Sequence, residues 1–196
     1  MIESAMKKFK LSLTLFIVCV TTVTQAAEFN QALPGKSTLT FAYKQMGVPM
    51  EGKFGKFSAR IAFDPSAINT AHARLEVDMS SIDTGYREGN DEVAGKLWFN
   101  TPAHPVAQFV SGSVKHLGGN RYETLGKLTL KGRTLDISAP FTFKQEGSVG
   151  IFDGVFTLKR LDYSVGEGLW ADVGTVANEI RIVFHLEAFA ALPVKK

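Results

Sequence analysis

The chain has 196 residues, of which 45% are hydrophobic and 21% charged, and its formal net charge is +3. That length and balance suit one globular domain. No strong basic excess points to nucleic acid or to a highly charged membrane patch.

The first 26 residues read as a secretory signal peptide rather than as part of the domain. Lys7, Lys8 and Lys10 precede an apolar run from Leu11 to Val20, and Thr24-Gln25-Ala26 supplies small residues before a cleavage point at Ala27. Met6 is an alternative start, because Glu3 is unusual in a basic n-region. The apolar run is shorter than the ~20 residues a spanning helix needs. The only cysteine, Cys19, falls in this leader, and Phe16-Ile17-Val18 before it is no lipoprotein processing box. The mature chain, 27–196, therefore has no disulfide, thiolate metal site or thiol nucleophile. Without the leader the balance falls from 22 basic and 19 acidic residues to 19 and 18, or +1.

The mature chain is a succession of alternating strands. Ser37 to Tyr43 places Leu39, Phe41 and Tyr43 on one face, and 45–49 reads as a turn or bulge. Met50 to Phe63 is a long strand in two parts. Phe57, Ala59, Ile61 and Phe63 share a face, Phe54 is out of phase, and Gly55 is where a bulge corrects the register. Asp64-Pro65 ends that strand. Ala73 to Met79 alternates Leu75, Val77 and Met79 against Arg74, Glu76 and Asp78, until the turn formers Ser81 to Gly85 stop it.

Arg87 to Phe99 breaks the alternation with Val93 and Leu97 at helical spacing, which predicts a short helix covering one end. Strands follow at Val106–Val114, with Ala107, Phe109 and Ser111 in phase, and at Tyr122–Leu130, with Leu128 and Leu130 inward. A tight hairpin at Lys131-Gly132-Arg133 leads into the face Leu135, Ile137, Ala139, Phe141 and Phe143. Phe152, Gly154, Phe156 and Leu158 form a seventh strand, and 166–172 a glycine-rich connection. The last strand carries Ile180, Ile182, Phe184 and Leu186. Eight antiparallel strands in about 150 residues make a barrel or a sandwich. The fifteen phenylalanines, nearly all of those after the leader on inward parity, exceed what a tightly filled small barrel needs.

Catalytic signals are poor. His72, His104, His116 and His185 have no metal-ligand spacing, and neither a Gly-x-Ser-x-Gly nor a phosphate-cradling loop is present. Asp162, Glu167 and Asp172 near Trp170 are read as surface loop acids rather than as a carboxylate pair.

In order, TLTFAYKQMGVPMEGKFGKFSARIAFDP (38–65), VDMSSIDTG (77–85), NDEVAGKLWFN (90–100), HPVAQF (104–109) and GKLTLKGRT (126–134) resemble the YceI family. Ser81 to Gly85 fall on that family's turn after the third strand, Trp98-Phe99 on its paired aromatics, and Gly126, Leu128, Leu130 and Gly132 on its glycine-framed hairpin. One departure is Gln45-Met46, where many members carry a histidine. The resemblance implies an all-β, eight-stranded antiparallel lipocalin-like barrel with a short helix covering one end. It implies a periplasmic, non-enzymatic carrier with no cofactor, holding a polyisoprenoid or isoprenoid quinone in the lumen. The implied partners are that lipid, a membrane donor or acceptor such as a quinone-linked membrane protein, and a second copy in a homodimer, with no nucleic acid and no metal.

Parity alone also favours a hydrocarbon guest, since burial of each methylene yields about 0.8 kcal/mol. The residues expected around the bound polyisoprenoid are Phe41, Phe57, Ile61, Phe63, Val77, Met79, Phe109, Leu128, Leu130, Phe141, Phe143, Phe156, Ile182 and Phe184. Trp98, Phe99 and the helix before them are expected to close one mouth. Two alternatives remain from the residues: an integral outer-membrane barrel, since alternation does not say which way the apolar face looks, and a carboxylate-based periplasmic enzyme.

Overall fold

A computed structural model describes residues 29–33 and 35–190. The leader and its cleavage point lie outside the described residues. Eleven strands form one antiparallel sheet: β1 (Phe29–Ala32), β2 (Thr38–Gln45), β3 (Val48–Phe54), β4 (Phe57–Ala62), β5 (His72–Asp78), β6 (Ile82–Asp83), β7 (Val106–Gly118), β8 (Arg121–Leu130), β9 (Arg133–Glu146), β10 (Val149–Lys159) and β11 (Glu179–Ala190). Among the described residues one α-helix, α1 (Arg87–Ala94), sits between β6 and β7.

The count is eleven rather than eight because three staves of the barrel are broken. β1 and β2 both pair with β11, at residues 188–190 and 181–185 respectively. β3 pairs with β2 and β6, and β4 with β5, so the chain from Val48 to Ala62 is one stave interrupted at Gly55-Lys56. β5 and β6 are likewise one stave, broken by a single 3₁₀ turn at Met79–Ser81. The turn formers expected to stop β5 thus only interrupt it. With β7 to β11 each pairing with the next, eight staves curl around a common interior.

The breaks do what the alternation required. Gly55 N–H donates to the Ser81 carbonyl at 2.9 Å and Asp78 N–H to that of Lys56 at 3.0 Å. The sheet is held across the gap while the register shifts, and Phe54 and Ile61 both line the interior. A bulge at Gly112, between the Ser111 and Ser113 pairings of β7 and β8, was not expected. It reverses parity, so Val114 faces the interior four residues beyond the bridge-paired Val110 on the outside. Two hairpins use two-residue turns with both residues left-handed: Met46-Gly47 (φ 50° and 82°) and Lys131-Gly132 (φ 47° and 75°). This turn type matches the right-handed twist of the strands it joins.

The helix ends at Ala94, five residues earlier than its spacing suggested; Trp98 and Phe99 lie in turns, with Phe99 N–H on the Val93 carbonyl at 3.0 Å. The helix has no side-chain cap at its start, where Tyr86 is the N-cap residue. Its anchor is Asn90, whose Oδ1 accepts from Thr84 N–H and Oγ1–H at 2.7 and 2.8 Å.

Polar and charged side chains occupy the outer faces, with ion pairs Arg74–Glu76 at 2.7 Å and Lys127–Asp136 at 2.9 Å. A membrane barrel needs an apolar outer band. Here the apolar faces look inward.

Candidate functional site

The interior divides into three levels. At one end Phe29, Phe63, Tyr122, Phe143 and Phe152 form a buried aromatic plug. The Phe63 ring centroid stands 4.7 Å from that of Phe143, 5.1 Å from Tyr122 and 5.4 Å from Phe152, in tilted or edge-on contacts. Such pairs contribute about 0.5–1.5 kcal/mol beyond area burial. Leu39, Phe41, Ile82 and Ile182 form the middle level. Met79 and Leu130 pack with Trp98, Tyr163, Val165 and Val176 of the lid at the other end.

Between plug and lid lies an apolar cavity of about 240 Å³. That is well over ten times the ~15 Å³ one water needs, so side chains do not fill this barrel. Glycines help keep it open. A Cβ on Gly52 would stand 2.2 Å from the Phe41 ring, and one on Gly154 2.1 Å from that of Phe184. The end of each ring takes the space that a side chain on the neighbouring strand would fill.

Twelve of the fourteen residues expected around a ligand line this cavity: Phe41, Ile61, Phe63, Val77, Met79, Phe109, Leu128, Leu130, Phe141, Phe156, Ile182 and Phe184. Phe143 and Phe57 do not. Phe143 is taken into the plug, 5.8 Å from Phe29 and 5.0 Å from Phe152. Phe57 follows the break at Gly55-Lys56 and packs between the plug and the middle level. Inward parity places a side chain on the inner face but does not say at which height a plug replaces the cavity.

The lid comprises α1, the turns through Phe99, and the connection 160–178. Val93, Trp98, Phe99 and Trp170 all line the cavity from it. Trp170 Nε1–H donates to Glu92 Oε1 at 2.6 Å, joining the connection to the helix, and the Trp98 and Trp170 rings lie 5.4 Å apart. The β2–β3 hairpin joins the same assembly through Met46 N–H on the Thr175 carbonyl at 2.9 Å.

Arg160 organises this end, and the sequence reading missed it. It is 1% exposed. All five of its N–H groups are used by backbone carbonyls: Nε to Ala177 (3.1 Å), Nη1 to Val165 and Gly166 (2.9 and 3.0 Å), Nη2 to Trp170 and Val176 (2.6 and 2.7 Å). Its guanidinium also stands 5.4 Å from the centre of the Trp98 ring. Burial pulls its pKa down, but an arginine stays charged in a protein. Five carbonyl dipoles therefore solvate the cation in place of water. Gly166, at φ 81°, is required beside it, since a Cβ there would lie 2.1 Å from Nη1. An arginine one residue past an alternating strand carries no sequence signal of this role; the glycines at 166 and 168 are the only hint.

The three loop acids do not converge. Glu167 pairs with Lys131 at 2.9 Å, and that hydrogen bond and charge hold its carboxyl below the usual range. Asp172 accepts from Gly174 N–H and Thr175 Oγ1–H of its own turn. Asp162 offers only its backbone carbonyl, to Arg133. Among the described residues no group of three His, Cys, Asp or Glu side chains could hold a metal ion.

A closed antiparallel barrel with a plugged end, a lidded end and an apolar lumen is the architecture of lipocalin-like binding proteins. Residues 31–188 match the YceI-like domain, and the chain belongs to that family. It is similar to BcnA of Burkholderia cenocepacia, with 43% identity and a TM-score of 0.78 over 80% of this chain and 99% of that one. A polyisoprenoid-binding domain from Saccharophagus degradans, implicated in plant cell wall breakdown, shares the fold at a TM-score of 0.66 and 18% identity, over 84% of this chain and all of that one. A UPF0312 protein of Azotobacter vinelandii is 25% identical over 143 residues, 69% of this chain and 72% of its own.

Proposed function

We propose that the protein is a periplasmic carrier that holds a long-chain polyisoprenoid lipid, isoprenoid quinones included, in the lumen between the aromatic plug and the lid. The observation that carries this reading is the cavity itself: a void walled mainly by phenyl rings and aliphatic side chains, in a barrel that side chains would otherwise fill. At about 0.8 kcal/mol per methylene, a hydrocarbon chain gains affinity along its whole length without a charged anchor. Membership of a family with a polyisoprenoid-binding structural neighbour supports the choice of lipid, and the leader composition supports export. The chain acts by binding rather than by catalysis. Its lipid comes from a membrane donor or goes to a membrane acceptor.

Organic extraction of protein purified from its own periplasm, followed by mass analysis, tests the reading. The wild type should yield an isoprenoid lipid. Ala139→Phe, which adds a ring to the lumen wall, should fold at a cost of about 1–3 kcal/mol of overpacking and yield much less. A wild type without isoprenoid, or a variant that retains as much, would remove the lumen as the binding site.

A further inference from the structure

Resting on that reading, we infer that the polar head of the bound lipid lies at the lid end, on Tyr43, Gln45 and Tyr86, and that this site takes an uncharged hydrogen-bond acceptor and excludes a phosphate.

All three side chains line the cavity. None makes a hydrogen bond to another protein group among the described residues, although the chain around them is fixed. Gln45 bridges to Val176 of the lid connection, and Tyr43 stacks on Phe41 with ring centroids 6.0 Å apart. The Tyr86 ring covers Gly89 of α1, where a Cβ would meet it at 2.6 Å. Burial raises the Tyr43 hydroxyl pKa, and the nearby Tyr86 phenol adds to the effect. The Tyr43 phenol is therefore a neutral donor at any physiological pH. Two phenol O–H groups and a carboxamide offer directional donors with nothing of the protein to satisfy.

The charges at this end decide which acceptor fits. Glu92 is the one carboxylate in the cavity wall there, and it is kept as an acceptor by Trp170. Arg160 is the one cation, and its five N–H groups are all committed to backbone carbonyls. An anionic head would meet a carboxylate and find no cation with a free donor, so its desolvation would go uncompensated. A carbonyl or hydroxyl head asks only for the donors present. Toward the plug the cavity wall carries His72 and Thr124, whose Nδ1 and Oγ1 are already engaged by the Thr70 and Ser113 carbonyls, and the plug's one phenol, Tyr122, is not part of the wall. The tail therefore points to Phe63 and Phe152 and the head to the lid.

The test uses delipidated full-length mature protein and three ligands with the same farnesyl tail: a benzoquinone, a monophosphate and the bare hydrocarbon. The quinone should bind about three- to tenfold more tightly than the hydrocarbon, the size of one net hydrogen bond, and the phosphate more weakly than either. Tyr43→Phe and Gln45→Leu should each reduce the ratio of quinone affinity to hydrocarbon affinity. Chemical shifts of the two indole N–H groups, free of any variant, should move on quinone binding more than on hydrocarbon binding for Trp170, which shares the lid end with Glu92. A phosphate that binds as tightly as the quinone, or variants that weaken both neutral ligands equally, would overturn the head site while leaving the lumen as a lipid site. A hydrocarbon that does not bind at all would overturn the lumen reading, and the head site with it.

Discussion

The plug and the lid close the same barrel by opposite means. At the plug, Phe29, Phe63, Phe143 and Phe152 are each 8% exposed or less and meet ring against ring. At the lid, a buried cation holds five carbonyls of an irregular connection, and two polar groups nearby, Trp98 Nε1–H and Tyr163 Oη, are buried with no partner. Burial, with the Asp162 charge second, pushes the Tyr163 hydroxyl up to about 12. The plug is aromatic and built mostly on strands, and among the described residues no side-chain polar atom buried in it lacks a partner. The lid is a set of loops joined by directional bonds, and loops of that kind open locally at a lower free energy than packed strands. A barrel that must admit a chain from one side has reason to differ at its two ends in this way.

The comparison breaks most sharply at Arg160. Arg160→Ala leaves five inward carbonyls without a donor and should cost on the order of 5 kcal/mol, read as a large fall in the urea midpoint. Arg160→Lys should not restore it, because a lysine ammonium has three donors and no planar fork. At the plug, Phe63→Ala should cost about 3–4 kcal/mol through lost burial and the cavity left behind. Its denaturation midpoint should fall while the lid retains its native indole signals. If the Phe63 variant lost the lid and the Arg160 variant kept it, the two ends would not be separate units.

Smaller effects sharpen the contrast. Glu92→Gln weakens the bond between the connection and α1 without removing a packed ring, so stability should fall by less than ~1 kcal/mol. The rate of lipid exchange should nevertheless rise, as stopped-flow transfer to vesicles would show. The smallest effect belongs to the outer wall near the plug. There His185 Nδ1 lies 2.6 Å from Asp153 Oδ1, and Nε2 3.5 Å from Glu187 Oε1. The Asp153 hydrogen bond is the main cause of its raised pKa. A histidine whose folded pKa exceeds its unfolded value near 6.5 stabilises fully below that pH and loses the contribution as pH rises through the folded value. Thermal midpoints should therefore decline slightly above about pH 6.5 in the wild type, and His185→Gln should remove that slope.

What the sequence by itself determined is the wall. Strict alternation sorts each strand into an inner and an outer face, because successive side chains point oppositely from the pleat. Met46-Gly47 and Lys131-Gly132 announce their turns through glycine, and the out-of-phase Phe54 announces the break at Gly55. Even the helix, weak as it is, shows as a lapse in alternation. Tertiary structure alone decided what happens along the barrel axis. Period-two patterning carries no height, so Phe143 and Phe63 look alike in sequence although one is plug and the other also borders the cavity. The bulge at Gly112 shifts parity through a pairing made with another strand. The role of Arg160 depends on carbonyls from residues 165 to 177, which only the folded connection gathers around one guanidinium, and no local pattern records where they meet.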